Sequence, residues 1–312
     1  MSAAGGEPDA TLAGLFEAHR GHPWLFVRPG GNFGDHLIYA GAERLASALK
    51  LRWATCDARN FDTGAITPEH CIYLHGGGGY NTWGSGRPFR NLAHAVSRAS
   101  PLVVQGPQTL ESASAAIKDR IQGALRDRRC ERLVFFARER YSLAALSAMS
   151  IDGMELAVDH DTAFHLATRD VLDLAGLSAV PLGRYELTAY REDDERPGTN
   201  AGTPARGVVL DPAYAAASFS HWLRIHLFAT RVLSNRLHSC IVSSLVGKPV
   251  TLAFGSYHKN RSIWDYSLAA RGVDWTEGIL APRTWWSTLP RRLKDSHKLG
   301  KLKLMLRGVP VR

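Results

Sequence analysis

Arg236 and His238, two residues apart in the segment Thr230-Arg231-Val232-Leu233-Ser234-Asn235-Arg236-Leu237-His238-Ser239, are the pair whose types and spacing best suit the binding of an anion. Ser234 or Asn235 can cap a helix beginning near Arg236. Both side chains then project near a helix N-terminus, where unpaired amides and the helix dipole favour negative charge. Gly247-Lys248-Pro249-Val250 and His258-Lys259 follow, and Lys259 adds a further cation. A second arginine, Arg138, stands in Phe136-Ala137-Arg138-Glu139-Arg140-Tyr141-Ser142, where an apolar run passes into a helical one. Its planar guanidinium can grip a carboxylate or phosphate through two parallel hydrogen bonds. Its other reading is an internal ion pair with Glu139 or Asp159.

Glycine marks the remaining candidates. Gly30-Gly31-Asn32-Phe33-Gly34-Asp35-His36 is neither a GxGxxG fingerprint nor a Walker loop. It reads as a tight strand-to-helix turn, or as a place where backbone approaches a ligand, with Asp35 able to cap the following helix. In His75-Gly76-Gly77-Gly78-Gly79-Tyr80-Asn81, four consecutive glycines carry a large entropic cost and read as a ligand-facing loop. Gln105-Gly106-Pro107-Gln108 ends the next apolar run.

Short apolar runs separated by helical stretches must position these residues, the rhythm of a parallel-sheet α/β protein. Strands are predicted at 24–27, 72–74, 102–104 and 133–136, and helices at 35–50, 88–99, 112–126 and 139–149. A second set has strands at 185–190, 208–210, 232–233 and 249–254 and helices at 215–228 and 236–246. The polar stretch 191–206 reads as a loop. The expected fold is α/β, two Rossmann-like domains facing a cleft in the GT-B-like manner, with the N-terminal domain at 1–182, the C-terminal domain at 183–290 and a basic tail at 291–312. Loops that end successive parallel strands share the edge where open α/β sheets bind ligands.

The formal charge is +9, from 38 Lys and Arg against 29 Asp and Glu. Eight of those cations and one of the acids lie at 291–312, which leaves 30 minus 28, or +2, for the rest of the chain. Such a nearly neutral body, without a helix-turn-helix, zinc-finger or RNP-like signature, argues against nucleic acid as a partner. The tail reads either as a membrane-contact element or as a packed helix with a solvated basic face. No apolar run approaches the roughly 18 to 20 residues of a spanning helix. Cysteines 56, 71, 130 and 240 form no CxxC pair, so a reduced, cytoplasmic setting fits. The thirteen histidines show no HExxH spacing and no GxSxG elbow occurs, which disfavours a catalytic metal and a serine hydrolase.

Taken in order, Asn32-Phe33-Gly34-Asp35, His75 to Gly79, Arg138-Glu139-Arg140-Tyr141-Ser142 and Arg236-Leu237-His238 resemble the motifs of the polysaccharide pyruvyltransferase family over roughly residues 25–270. Val158-Asp159-His160-Asp161-Thr162-Ala163-Phe164 resembles the family's D-P-A-F segment, with Thr162 in place of proline, and Glu139 stands in place of the usual aspartate. The resemblance implies transfer of the carbon skeleton of phosphoenolpyruvate to two hydroxyls of one sugar in a cell-envelope polysaccharide, forming a pyruvate ketal and releasing phosphate, with no cofactor or metal. It implies that Arg138, Asn235, Arg236, His238 and Lys259 bind the donor, His238 also serving as acid, and that Asp35 is the base. The acceptor, a sugar or lipid-linked oligosaccharide, is expected against Asn32, Gly77, Gly78, Tyr80, Asn81, Trp83 and Gln108. A lipid-linked acceptor would place the protein at the inner face of the membrane. The competing readings are a GT-B-type glycosyltransferase using a nucleotide-sugar and a non-catalytic carbohydrate-binding relative.

Overall fold

The structure, a computed structural model, describes residues 11–61, 66–193, 195 and 202–280, so the basic tail lies outside the described residues. The chain forms two compact units, one made of the residues up to Gly30 with Ile38–His165, the other of Gly31–Leu37 with the residues from Leu166 onward. Parallel sheets of seven and five strands make it a mixed α/β protein of the Rossmann-like kind.

In chain order the first unit contains α1 (Leu12–Ala18), β1 (Pro23–Arg28), α2 (Phe33–Ala48, from Ile38 onward), β2 (Arg52–Asp57), β3 (Cys71–Leu74), β4 (Gly77–Tyr80), α3 (Arg87–Val96), β5 (Leu102–Leu110), α4 (Ala115–Leu125), β6 (Arg132–Ala137), α5 (Arg140–Met149) and β7 (Glu155–Val158). Its strands run β2-β1-β3-β5-β6-β7, all parallel, with β4 pairing the far end of β5. Successive residues point to opposite faces, so each central strand feeds two cores. Val27, Ile72, Val103, Leu133 and Phe135 pack under α3, α4 and α5. Phe26, Tyr73, Val104, Val134 and Phe136 pack on the other face under α1 and α2. Leu12, Leu15 and Phe16 recur at helical spacing and seat α1, and Phe16 meets Trp24, Phe26 and Tyr73 at centroid distances of 4.8, 5.5 and 5.2 Å. Each such pair adds about 0.5–1.5 kcal/mol to the area it buries.

The four-glycine tract is not a loop. Gly77–Tyr80 forms β4 against β5, and the glycines answer to packing: a Cβ on Gly76 would overlap the Pro107 carbonyl oxygen, and one on Gly79 would lie 2.5 Å from Pro88 Cγ.

The second unit contains α6 (Thr168–Ala175), β8 (Tyr185–Ala189), β9 (Thr203–Pro204), β10 (Val208–Leu210), α7 (Pro212–Ala215), α8 (Phe219–Leu227), β11 (Ala229–Ser234), α9 (Leu237–Leu245), β12 (Val250–Ala253), α10 (Lys259–Ile263), β13 (Asp274–Thr276) and β14 (Ile279–Leu280). Five strands run parallel in the order β10-β8-β11-β12-β13, and β9 pairs β14. The helix expected at 215–228 is α8, and the short α7 precedes it, each with its own cap. Asp211 accepts from the Ala213 amide at 3.1 Å to start α7, and Ser218 Oγ accepts from the His221 amide at 3.1 Å to start α8. Helix α6 belongs to this unit rather than to the N-terminal domain expected to reach residue 182. Thr168 Oγ1 donates to the Leu245 carbonyl at 2.8 Å, and Arg224 Nε donates to the Ala175 carbonyl at 2.8 Å.

Candidate functional site

In the second sheet the chain order reverses between β8 and β11: β10 lies on one side of β8 and β11 on the other. Ligands of open α/β sheets bind outside the carboxyl ends of the strands at such a point. Tyr190-Arg191 follows β8 there and Asn235-Arg236 follows β11. The two strand ends are tied directly, since Asn235 Oδ1 accepts from the Arg191 amide at 2.7 Å. That bond makes Nδ2 the other end of the Asn235 amide, and this buried Nδ2 has no hydrogen-bond partner among the described residues. Ser239 Oγ, buried in the first turns of α9, has none either. Arg236 occupies the N-cap of α9, its amide donating to Ser234 Oγ at 2.8 Å.

The Arg236 guanidinium is nearly sealed and held by two carboxylates. Nε and Nη2 each donate to Asp211 at 2.5 Å, and Nη2 donates to Asp193 at 3.0 Å. Burial pulls the Arg236 pKa down, but the Asp211 and Asp193 charges outweigh it and leave the guanidinium more firmly protonated than usual. Arg191 joins the cluster, Nε donating to Asp193 at 2.5 Å and Nη1 to Glu195 at 2.6 Å. Lys259 Nζ lies 2.5 Å from the same Glu195 carboxylate. Burial alone would raise the carboxyl pKa of Asp193, but Arg191 and Arg236 bring it to about 2. Glu195, likewise opposed by burial, is lowered by Lys259 and Arg191. Asn235, Arg236 and Lys259 are therefore gathered in one place, as expected. Asp211, Asp193, Glu195 and Arg191 were not foreseen. They lie in or beyond the polar stretch that reads as a loop, and nothing in their spacing to Arg236 signals the contact.

His238, half-buried on the first turn of α9, faces the N-terminal turn of α2. A Cβ on Gly34 would lie 2.5 Å from its Nδ1, so a larger residue there would displace the imidazole. That turn is capped reciprocally: Asn32 Oδ1 accepts from the Gly34 amide and Asp35 Oδ2 from the Asn32 amide, both at 2.8 Å. The cap is thus Asn32, and Asp35 closes the box from inside the helix. Asn32, Asp35 and His238 form one neighbourhood.

The first unit holds its expected residues differently. Arg138 is an interior group, not a cleft-facing clamp: it is 2 % exposed, with Nε donating to Thr109 Oγ1 at 2.6 Å and Nη1 to Asp161 at 2.9 Å. Glu139 caps α5 by accepting from Ser142 N–H and O–H, and burial raises its pKa against those bonds. Tyr80 is buried and donates to Gln105 Oε1 at 2.9 Å, and buried Gln108 donates to the His75 carbonyl at 3.2 Å. Asn81 shapes a turn, donating to the Gly78 carbonyl at 3.0 Å and accepting from the Gly84 amide at 2.6 Å. Gly77 and Gly78 lie in β4. These residues were expected to meet a sugar; the bonds named lie within the fold, and buried Gln108 Oε1 has no hydrogen-bond partner among the described residues. Trp83, in the turn that Asn81 shapes, is 48 % exposed.

Among the described residues no cluster of His, Cys, Asp and Glu could hold a metal ion, and no helix is long and apolar enough to cross a membrane. All four cysteines are free thiols. No protein-family model matches the chain, and no curated protein matches it. The fold is similar to the crystal structure of a functionally uncharacterised protein from Klebsiella pneumoniae subsp. pneumoniae NTUH-K2044, with a TM-score of 0.61 at 20 % identity, covering 84 % of this chain and 96 % of that one.

Proposed function

We propose that the chain is a pyruvyltransferase that forms a pyruvate ketal on a sugar of a polysaccharide or of its lipid-linked precursor, taking phosphoenolpyruvate as donor and releasing phosphate. A GT-B-like arrangement of two Rossmann-like domains is part of the proposal. The observation that carries it is the convergence of Arg191, Arg236, Lys259 and the unpartnered Asn235 Nδ2 at the switch point of the second sheet. A donor with both a carboxylate and a phosphate needs several cations in one place.

In the reaction the methylene carbon of the donor gains a proton and becomes methyl, and two C–O bonds form at C2 while the C–O bond to phosphate breaks. Of the two acceptor hydroxyl protons, one is balanced by the methyl group and the other leaves with phosphate. His238 is assigned as the acid, since imidazole can give and take protons near neutrality. Asp35, in the same neighbourhood, is assigned as the base for a sugar hydroxyl. Trp83 is assigned to the acceptor as a stacking platform. Arg138 is assigned to the interior of the first unit.

Glycans incubated with the protein and phosphoenolpyruvate should gain the mass of pyruvate less water, with phosphate released in step. His238→Ala should slow turnover by about a hundredfold or more. Turnover of a nucleotide-sugar without any addition from phosphoenolpyruvate would replace this reading with a glycosyltransferase.

A further inference from the structure

The cations assigned to the donor are already occupied by carboxylates from their own chain. Arg191, Arg236 and Lys259 carry three positive charges, and Asp193, Glu195 and Asp211 carry three negative ones, so among the described residues these six groups balance. The three acids are not equivalent. Asp211 is 3 % exposed and built in: besides Arg236 it accepts the Ala213 amide at 3.1 Å and the Glu192 amide at 2.9 Å. Asp193 and Glu195 have side chains 20 % and 18 % exposed and reach the cations from the segment after β8. The base of that segment is anchored through the amides of Arg191 and Glu192. Among the described residues the Glu195 amide donates to Asp193 Oδ1 at 3.2 Å, and the two carboxylates are held by Arg191, Arg236 and Lys259. Both carboxylates lie on the one guanidinium of Arg191, so two anionic groups sit within a few ångströms of each other.

Resting on the donor-site reading above, we propose that the carboxylates of Asp193 and Glu195 are resident stand-ins for the two anionic groups of a small ligand, which binds Arg191, Arg236 and Lys259 by displacing them. Withdrawing the two leaves three cations against Asp211, or +2 for these groups, a net positive charge that an anionic ligand can take up. The unpartnered Asn235 Nδ2 beside the anchored base supplies a neutral donor for the same ligand. The two carboxylates thereby balance those cations when no ligand is bound, and they set the ligand's affinity by competition. A merely structural ion-pair cluster would behave oppositely, losing stability and gaining no affinity when its acids are neutralised.

The test is calorimetric titration of the wild type, Glu195→Gln and Asp193→Asn/Glu195→Gln with phosphoenolpyruvate and, separately, with inorganic phosphate. The double variant is expected to bind phosphoenolpyruvate at least about tenfold more tightly than the wild type, the single variant falling between. Variants that bind neither anion more tightly than the wild type overturn the displacement, and if wild type and variants bind phosphoenolpyruvate equally well the donor reading survives alone. Phosphate binding that tightens in that order, with no binding of phosphoenolpyruvate, keeps the displacement and removes the donor reading. Should the double variant lose its cooperative melt, Glu195→Gln decides by the same criterion.

Discussion

Asp211→Asn is the change that most directly tests how the candidate site is held. Each Asp211 oxygen accepts two donors: Oδ1 takes Arg236 Nε at 2.5 Å and the Ala213 amide at 3.1 Å, and Oδ2 takes Arg236 Nη2 at 2.5 Å and the Glu192 amide at 2.9 Å. An asparagine amide cannot replace it, because whichever way it turns its NH2 group meets two donors. The substitution keeps the shape, removes the charge and leaves the Arg236 guanidinium, on a residue 8 % exposed, with Asp193 as its remaining carboxylate. Breaking a buried pair from one side costs about 3–5 kcal/mol. At about 2–4 °C per kcal/mol for a unit of this size, the melting temperature should fall by about 6–20 °C. Arg132→Ala is the matched control. It removes another two-bond arginine–carboxylate pair, to Glu155 at 2.8 and 2.6 Å, but those side chains are 40 % and 54 % exposed. Pairs so exposed contribute about 0–1 kcal/mol. Thermal melts followed by circular dichroism compare the two, and an Asp211→Asn shift no larger than that of Arg132→Ala would refute the argument from burial.

His226 is fully buried, and burial lowers its pKa to about 4 against the support of its bond to the Trp222 carbonyl. The unfolded chain takes up this proton near pH 6.5 and the folded chain only near 4, so stability falls as pH drops through that window. His226→Phe should therefore reduce the loss of stability between pH 7 and pH 4 by about 3 kcal/mol, read from urea unfolding at each pH, and an unchanged loss would contradict the assignment. Two glycine-to-alanine changes should have opposite signs. In α4, Gly123 is exposed with nothing within 4 Å of a new Cβ, so Gly123→Ala should stabilise by about 0.5–1 kcal/mol. In α2, a Cβ on Gly41 would overlap the Thr162 carbonyl oxygen, and the backbone shift of about 1–3 kcal/mol should outweigh the helix gain and lower the melting temperature.

The central strands β1, β3, β5 and β6 are legible in the sequence because burial on both faces writes them as unbroken apolar runs. Edge strand β2 is mostly exposed, and Arg52-Trp53-Ala54-Thr55-Cys56-Asp57 has no such run to show. Strand β4 is hidden because its residues are mostly glycine, chosen for close approach to neighbours that only the folded sheet supplies. The location of Arg236 at a strand-to-helix junction follows from local pattern, but its partners lie 25 and 43 residues away, past the ends of β10 and β8. Arg138 pairs with Asp161, not with Glu139 or Asp159. Strand β7 runs beside β6 with Val158 opposite Ala137, and the residues just past its end fall next to the arginine. Register decides such contacts, and register between distant strands is not written locally.

The contact between Gly34 and His238 also fixes an order of events at the ribosome. These residues belong to one unit but stand 204 positions apart (238 minus 34). At about 5–20 residues per second, the glycine turn emerges about 10–40 s before the histidine that rests on it. Throughout that interval the strands and helices of the first unit can all be made and paired, while the turn at the head of α2 waits for partners not yet synthesised. The neighbourhood of Asn32, Asp35 and His238 is thus completed only after every element of the first unit has been made, and a nascent chain halted before residue 238 cannot contain it.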